Sequence, residues 1–436
     1  MHALLHFSVV ALAVLLHQSF VWPMRLHGST THDHIFARVP SVLRSTDDVE
    51  LKLEIHTNLT DPSKKYNAYI LGNPEQTSKI VQVLQQDGTG YKYVQPANTG
   101  SDVPVPITEG FAIPLTTDTT LITLPGWLWN ARIWLSENEL VFKFTNGGLV
   151  QPAPATEVDD NYNVSYGFIE LNFYPAGDTN EPTVFVNLSF VDFVGLVLGM
   201  AMTYQNGSTE AVPGLYRNAL TTVCDGLKSQ AQKDNRSWDK MCLQDGDKYI
   251  RAISPNMYSS QPPNRDMDDY YTKYIDDVWN AFKTQPLLMD TQDANHTKVP
   301  SGPQVSCKVT GEVLDCGADA GQYVKPTTLD VWGCNTGPFV VPPGANEKQK
   351  EIIPRLCAAF FRSTLLLDGG SVQPSLPSAK YYTADPTNHY GRLVHEGLQD
   401  GRGYAFSYDD VNAGTENVAG VLKASNIQKL SVTLSN

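Results

Sequence analysis

No cysteine precedes Cys224; the six that exist (Cys224, Cys242, Cys307, Cys316, Cys334, Cys357) share one later stretch. No C-x-x-C and no H-E-x-x-H occurs, which excludes the common zinc spacings. G-x-S-x-G is missing, and so is any D-T/S-G element; a Ser-His-Asp hydrolase and an aspartic protease lose their usual signatures. Basic charge is scarce: 32 Lys and Arg against 46 Asp and Glu leave a net charge of -14. Nucleic acid and anionic membrane both reward Lys and Arg, so neither is expected as a partner. Long apolar runs are few. The first, Ala3 to Leu16, is shorter than the ~20 residues that cross a bilayer. With polar residues and Pro23 behind it, it reads as a signal peptide over 1–22. The second, Phe190 to Met202, holds Asp192 and two glycines and reads as a buried strand. The C-terminal LKASNIQKLSVTLSN has no hydrophobic tail of the lipid-anchor kind.

What is present agrees with a secreted, globular chain. Hydrophobic residues make up 41% and aromatics 10%, enough for a large core. Asn-x-Ser/Thr sequons stand at Asn58, Asn163, Asn187, Asn206, Asn235 and Asn295, the acceptors of N-glycosylation. The even cysteine count predicts three disulfides. A local loop between Cys307 and Cys316 is favoured, and the other pairings stay open among 15 connectivities. His27, His32 and His34 lie in a polar stretch and read as a tail. No cofactor and no metal are expected, and nothing calls for an obligate partner, so a monomer is expected.

From about Val49 to Thr203 the chain reads as short strands between Gly, Pro, Asn and Asp clusters: VELKLEIH, YNAYILG, KIVQVLQQ, TTLITL, ARIWLS, ELVFKF, YGFIELNFY and VFVNLSFVDFV. Many short strands with frequent turns predict an antiparallel sandwich or barrel over 45–204. After Tyr204 helical text appears, at 214–232, at 266–283 with Asp266 or Asp268 as the cap, and at 351–367 with Pro354 near the first turn. Residues 205–399 are read as a mixed α/β domain stapled by disulfides. The last segment, 400–436, returns to alternation and is expected to rejoin the first sheet.

Two carboxylates stand where the pattern gives little reason for them. In YGFIELNFY, Tyr166, Phe168, Glu170, Asn172 and Tyr174 share one face by alternation. Asp192 interrupts the apolar VFVNLSFVDFV. An ionised carboxylate in apolar surroundings costs several kcal/mol unless it is paired, hydrogen-bonded or protonated. Two such groups joined by the turn-rich PAGDTNEP suit general acid/base chemistry. Glycoside hydrolysis uses that pair, with aromatic and polar groups to grip sugar. Arg132 and Trp134 alternate onto one face of ARIWLS and are candidates for the same groove. Trp127 and Trp129 read more readily as core than as a stacking surface. Tyr404, Phe406, Tyr408 and Asp410 form another aromatic face ending in an acid, with Asp409 and Asp410 suited to capping a turn.

Eight blocks in order resemble glycoside hydrolase family 64, the endo-β-1,3-glucanases related to the thaumatin-like proteins. They are LPGWLWNARIWLS, YGFIELNFY, NLSFVDFVGLVLGM, IRAISPNMYS, YYTKYIDDVWNAF, DVWGCNTGPF, RLCAAFFRSTLL and HEGLQDGRGYAFSYDDV, spanning about 45 to 435. The resemblance implies a crescent: a β-sandwich or barrel domain of thaumatin-like type and a mixed α/β domain flanking an open groove that takes β-1,3-glucan. It implies inversion, with Glu170 (in Phe168-Ile169-Glu170) as general acid and Asp192 (in Val191-Asp192) as general base. An inverting pair stands about 6.5–9.5 Å apart, leaving room for water. Asn172 and Ser189 match positions that grip glucan, and Tyr166, Tyr174, Arg132, Trp134 and Asp410 are expected to help. Strict alternation puts Ser189 opposite Asp192, so a β-bulge is expected between them. Asn187, on Ser189's face, is expected to carry no glycan. The alternative function is a thaumatin-like wall protein that binds glucan without cleaving it.

Overall fold

The computed structural model describes residues 49–58, 63–78, 81–88, 90–94, 103–107, 110–145, 148–176, 180–291 and 304–435. The proposed signal peptide, the histidines before residue 35 and the Asn295 sequon lie outside them. The chain is mainly β, with 36% strand and 21% helix.

Two large sheets carry the architecture. Their strands are β1 (Glu50–Asn58), β2 (Tyr66–Asn73), β3 (Val81–Leu84), β4 (Tyr91–Val94), β5 (Thr119–Pro125), β6 (Leu128–Glu137), β7 (Tyr166–Ala176), β8 (Glu181–Leu188), β9 (Val197–Tyr204), β10 (Thr209–Val212), β11 (Leu422–Ala424) and β12 (Ile427–Ser435). One sheet runs β10-β9-β12-β1-β5; the other runs β11-β8-β7-β6-β2-β3-β4, with Ile113–Pro114 added beside β2. In the first sheet a period of two is plain. Leu51, Leu53 and Ile55 of β1 and Leu430, Val432 and Leu434 of β12 are buried while their neighbours face out, the mark of a sheet with one wet face. The last strand, β12, lies between β1 (parallel) and β9 (antiparallel).

The second sheet is buried on both faces along β2, β7 and β8. Gly167 tells which face is which. A Cβ there would stand 3.2 Å from Leu198 Cδ1 on β9, so Gly167, Ile169, Leu171 and Phe173 face the other sheet and form the sandwich core. Tyr166, Phe168, Glu170, Asn172 and Tyr174 therefore face away from that core, under segments from later in the chain.

The later chain supplies α1 (Ala219–Asp234), α2 (Thr272–Ala281), α3 (Glu347–Phe361) and α4 (His389–Gly397), with a small sheet built on Gln304–Thr310. Boundaries differ from the sequence expectation for local reasons. Residues 266–271 are turns, and α2 begins at Thr272 behind the N-cap residue Tyr271, which makes no side-chain cap. Asp266 is instead taken up by Ser237, Lys240 and Tyr258. Pro354 lies inside α3, not near its start, because the helix begins earlier: Asn346 caps it in a reciprocal box with Gln349. The disulfides are Cys224–Cys242, Cys307–Cys316 and Cys334–Cys357; the local 307–316 loop was legible, the other two were not. Among the described residues no helix is long and apolar enough to cross a membrane.

Candidate active site

Register places three polar side chains in one row across three strands. Glu170 of β7 pairs with Asn187 of β8 on one side and with Arg132 of β6 on the other. Directly opposed residues of antiparallel strands point to the same face, so the row crosses the outer face of the sheet. Arg132 Nη2 lies 3.3 Å from Glu170 Oε1, and its Nη1 donates to Gln151. Its guanidinium sits 4.2 Å over the Phe168 ring. The Asn187 amide also hydrogen-bonds Glu170. The Glu170 side chain is 19% exposed, so the carboxyl opens to solvent on one side only.

Burial pushes the Glu170 carboxyl above the ordinary range, and the charge of Asp192 adds to that push; Arg132 and the Asn187 amide oppose it without reversing it. The result is an acid that holds its proton to higher pH than a free glutamate does, a prerequisite for protonating a leaving group.

Asp192 arrives by a different route. β8 ends at Leu188; Ser189 makes a single bridge to Tyr404, and Val191 and Asp192 form a bend. The continuous strand read over Val184 to Val194 is corrected here, and no bulge is required, since alternation stops before Asp192. The bend is held on both flanks. Phe190 N–H donates to the Tyr404 carbonyl at 2.7 Å, and the Tyr390 hydroxyl donates to the Phe190 carbonyl at 2.6 Å. After the bend, Ser254 N–H donates to the Asp192 carbonyl at 2.8 Å and Phe193 pairs with Ile253. Gly195 fits because a Cβ there would meet the Tyr166 carbonyl oxygen at 2.0 Å. Asp192 is partly exposed and in electrostatic reach of Glu170, Tyr166 and Tyr390.

A third acid joins from the C-terminal loop. Tyr404 N–H donates to the Leu188 carbonyl at 3.0 Å, its hydroxyl meets Asp410, and Glu170 is near enough to act on it. The alternating aromatic face read at 404–410 is corrected: Tyr404 makes a single bridge, the next two residues bend, 407–410 form a turn, and Phe406 stacks inward on Phe361 at 4.0 Å. Asp410 is partly exposed beside Tyr404, whereas Asp409 is fully buried.

Several residues expected at the site lie behind it. Trp134 (1% exposed) and Tyr166 (0%) are packed within an aromatic cluster with Phe142, Phe168 and Phe193; they support the row and offer sugar no surface. Tyr166 is further fixed by Arg251, which lies 4.3 Å over its ring, bonds its hydroxyl and donates to the carbonyls of Pro154, Asn161, Tyr162 and Val164. Asn172 is 2% exposed and its Oδ1 accepts the Asn130 N–H at 2.6 Å, at a register shift where Asn130 takes a φ of 48°. Ser189 is buried beside Tyr404. Tyr174 is buried too, its ring 4.9 Å from the half-exposed Trp129, while Trp127 packs on the core-facing Phe173. Asn187 is buried at 1% exposure beside Glu170, which leaves no room for a glycan. Sequence reasoning passed over Tyr390, named Tyr404 only within an aromatic face, and named Asn187 only as a sequon. Only Asn187 carried a signal: the β7–β8 register sets it opposite Glu170. Among the described residues no group of His, Cys, Asp and Glu has the arrangement of a metal site.

The arrangement defines a mainly β protein with an acidic site on the outer face of a sandwich sheet. The chain belongs to glycoside hydrolase family 64, described as β-1,3-glucanase, whose family model matches residues 49–434. It is 26% identical over 281 residues to glucan endo-1,3-beta-glucosidases of Cellulosimicrobium cellulans and of Arthrobacter sp. (strain YCWD3), matching 62% of this chain and 45% of each relative. The match thus spans less than half the length of those relatives. The fold is similar to a laminaripentaose-producing beta-1,3-glucanase solved in complex with laminaritetraose (TM-score 0.73, 24% identity, 88% of this chain and 98% of that one). It is also similar to a beta-1,3-glucanase domain from Clostridium beijerinckii (TM-score 0.64, 17% identity, 89% and 98%).

Proposed function

We propose that this chain is an endo-acting β-1,3-glucan hydrolase that inverts configuration, with Glu170 as general acid and Asp192 as general base. The observation that carries the reading is the Glu170 carboxyl, held protonated toward higher pH by burial and by Asp192 while its side chain keeps 19% of its surface exposed. On this reading Glu170 gives its proton to the glycosidic oxygen as the bond to the anomeric carbon breaks. Asp192 takes a proton from the water that attacks that carbon from the opposite face. Arg132 and Asn187 orient the acid, and Asp410 with Tyr404 forms the facing wall. Family membership and the relatives' names support the substrate class.

We propose further that a thaumatin-like sandwich and an α/β part flank an open groove, and that the protein is a secreted, glycosylated monomer acting on cell-wall glucan. Release of reducing sugar from a linear β-1,3-glucan tests the function. Glu170→Gln and Asp192→Asn should each lower kcat by about 10²- to 10⁴-fold while pull-down on insoluble glucan is retained. Binding by the wild type without any sugar release would instead indicate a glucan-binding wall protein.

A further inference from the structure

His395 lies in the last turn of α4, outside the row just described. Its Nδ1 is 2.9 Å from the Gly401 carbonyl oxygen and its Nε2 is 3.0 Å from Asp409 Oδ2. A neutral imidazole has one N–H to donate. Here both neighbours are acceptors, so both contacts are made only when the ring carries two protons. The surroundings agree. Burial alone would pull the His395 pKa down, but the Asp409 charge and both hydrogen bonds outweigh it and leave it raised; Arg362 opposes them. Burial would raise Asp409, yet His395 and Arg362 hold it below the usual carboxylate range. The groups facing the ring are Asp409 and the Gly401 carbonyl from the loop, Arg362 past the end of α3, and Tyr382, whose ring stacks at 5.9 Å. Glu396, on the same helix, is turned out to Arg392.

The loop fixed in this way is the wall of the site. Asp409 Oδ2 also accepts the Ala405 N–H at 2.8 Å, and its Oδ1 accepts from Arg362 at 2.7 Å. Arg362 also donates to the carbonyls of Asp409 and Val411. One residue before Ala405, Tyr404 exchanges backbone hydrogen bonds with Leu188 and Phe190, two residues from Asp192. α4 thus touches the Asp192 segment twice: directly through Tyr390, and through His395, Asp409 and Tyr404.

We propose that His395 is a positioning residue: as a double donor between Gly401 and Asp409 it locks the 401–410 loop, with Tyr404 and Asp410, against the segment that carries Asp192. Its effect on turnover rests on the glucanase reading; the clamp itself rests on geometry alone. Deprotonation leaves a lone pair facing one of the two oxygens, so the clamp loosens as pH rises past the His395 midpoint, above the ordinary value of about 6.5.

The test uses the full chain. Amide hydrogen exchange, corrected for intrinsic rates, is followed between pH 6 and 9 (roughly spanning imidazole titration) on peptides covering 186–192 and 401–410. The same samples give kcat and KM on β-1,3-glucan. In the wild type, protection at Phe190, Tyr404 and Ala405 should fall as pH rises while β1 and β12 stay unchanged. His395→Gln should show the low protection at every pH, with kcat reduced on the order of tenfold to a hundredfold and KM changed far less. His395→Lys, which keeps a multiple donor, should restore much of both and move the loss to higher pH. Wild-type protection that does not respond to pH, or His395→Gln matching wild type in protection and kcat, overturns the proposal; the first readout needs no variant. A wild type inactive on β-1,3-glucan would overturn the functional reading, and the exchange data would still decide the clamp.

Discussion

The two halves of the site are built on different principles. Asn187, Glu170 and Arg132 stand on three neighbouring strands, where register alone sets which side chains meet. Asp192 and Asp410 stand on a bend and a turn, and their places depend on groups from distant parts of the chain: the side chains of Tyr390, His395 and Arg362 and the backbone N–H of Ser254. The first half tolerates much change around it, because the ladder of backbone bonds persists. The second is as good as its clamps.

That contrast can be strained from the loop side first. Arg362→Met leaves buried Asp409 with His395 as its remaining cationic partner. Breaking a buried pair in this way costs about 3–5 kcal/mol, read as a lower urea midpoint at unchanged m-value. The contribution has a pH window. Asp409 is held below its ordinary value, so its share is present above about pH 4 and is lost as pH falls through the folded value. His395 is held above its ordinary value, so its share is full below about 6.5 and is lost as pH rises through the folded value. The stability difference between wild type and Asp409→Asn should therefore peak between those limits.

On the sheet side, Asn172→Ala removes the acceptor of the Asn130 N–H and leaves a donor poorly satisfied, costing about 1–3 kcal/mol. Circular dichroism melts should show the loss, and activity per folded molecule should change little. Arg132→Met takes away the cation that opposes the raised Glu170 pKa. The Glu170 midpoint should rise further, moving the alkaline limb of kcat/KM upward; an unmoved or lowered limb would show that Arg132 does not act on the acid. Lys273→Ala breaks an exposed i,i+4 pair with Asp277 and should cost no more than about 0.5 kcal/mol.

The same division explains what could be read before the structure. Alternation in YGFIELNFY gave the face shared by Phe168, Glu170 and Asn172, and the helical text at 266–283 gave α2, whose buried face is Tyr274, Ile275, Val278 and Trp279. Asp192 was found as an intrusion in an apolar run, but its strand was not real: the chain leaves the ladder at Leu188 to meet Tyr404, a contact far away in sequence. Tyr404 to Asp410 looked like a strand for the same reason, since period two says nothing about what a segment docks against. Trp134 and Tyr166 were placed at the surface because alternation assigns a face and not a depth; later segments bury that face under Phe142, Phe193 and Arg251. Asp409 was read only as a turn cap and His395 gave no local signal, because their charges make sense only beside Arg362.

The central claim, that Glu170 and Asp192 act as separate acid and base with a water molecule between base and sugar, is tested most directly by the anomeric configuration of the first product. Proton NMR during the first minutes of hydrolysis of a linear β-1,3-glucan should show the new reducing end as the α-anomer, equilibrating afterwards. A new reducing end that first appears as the β-anomer would contradict the account, because it would mean retention through a covalent intermediate and a carboxylate close enough to attack carbon itself.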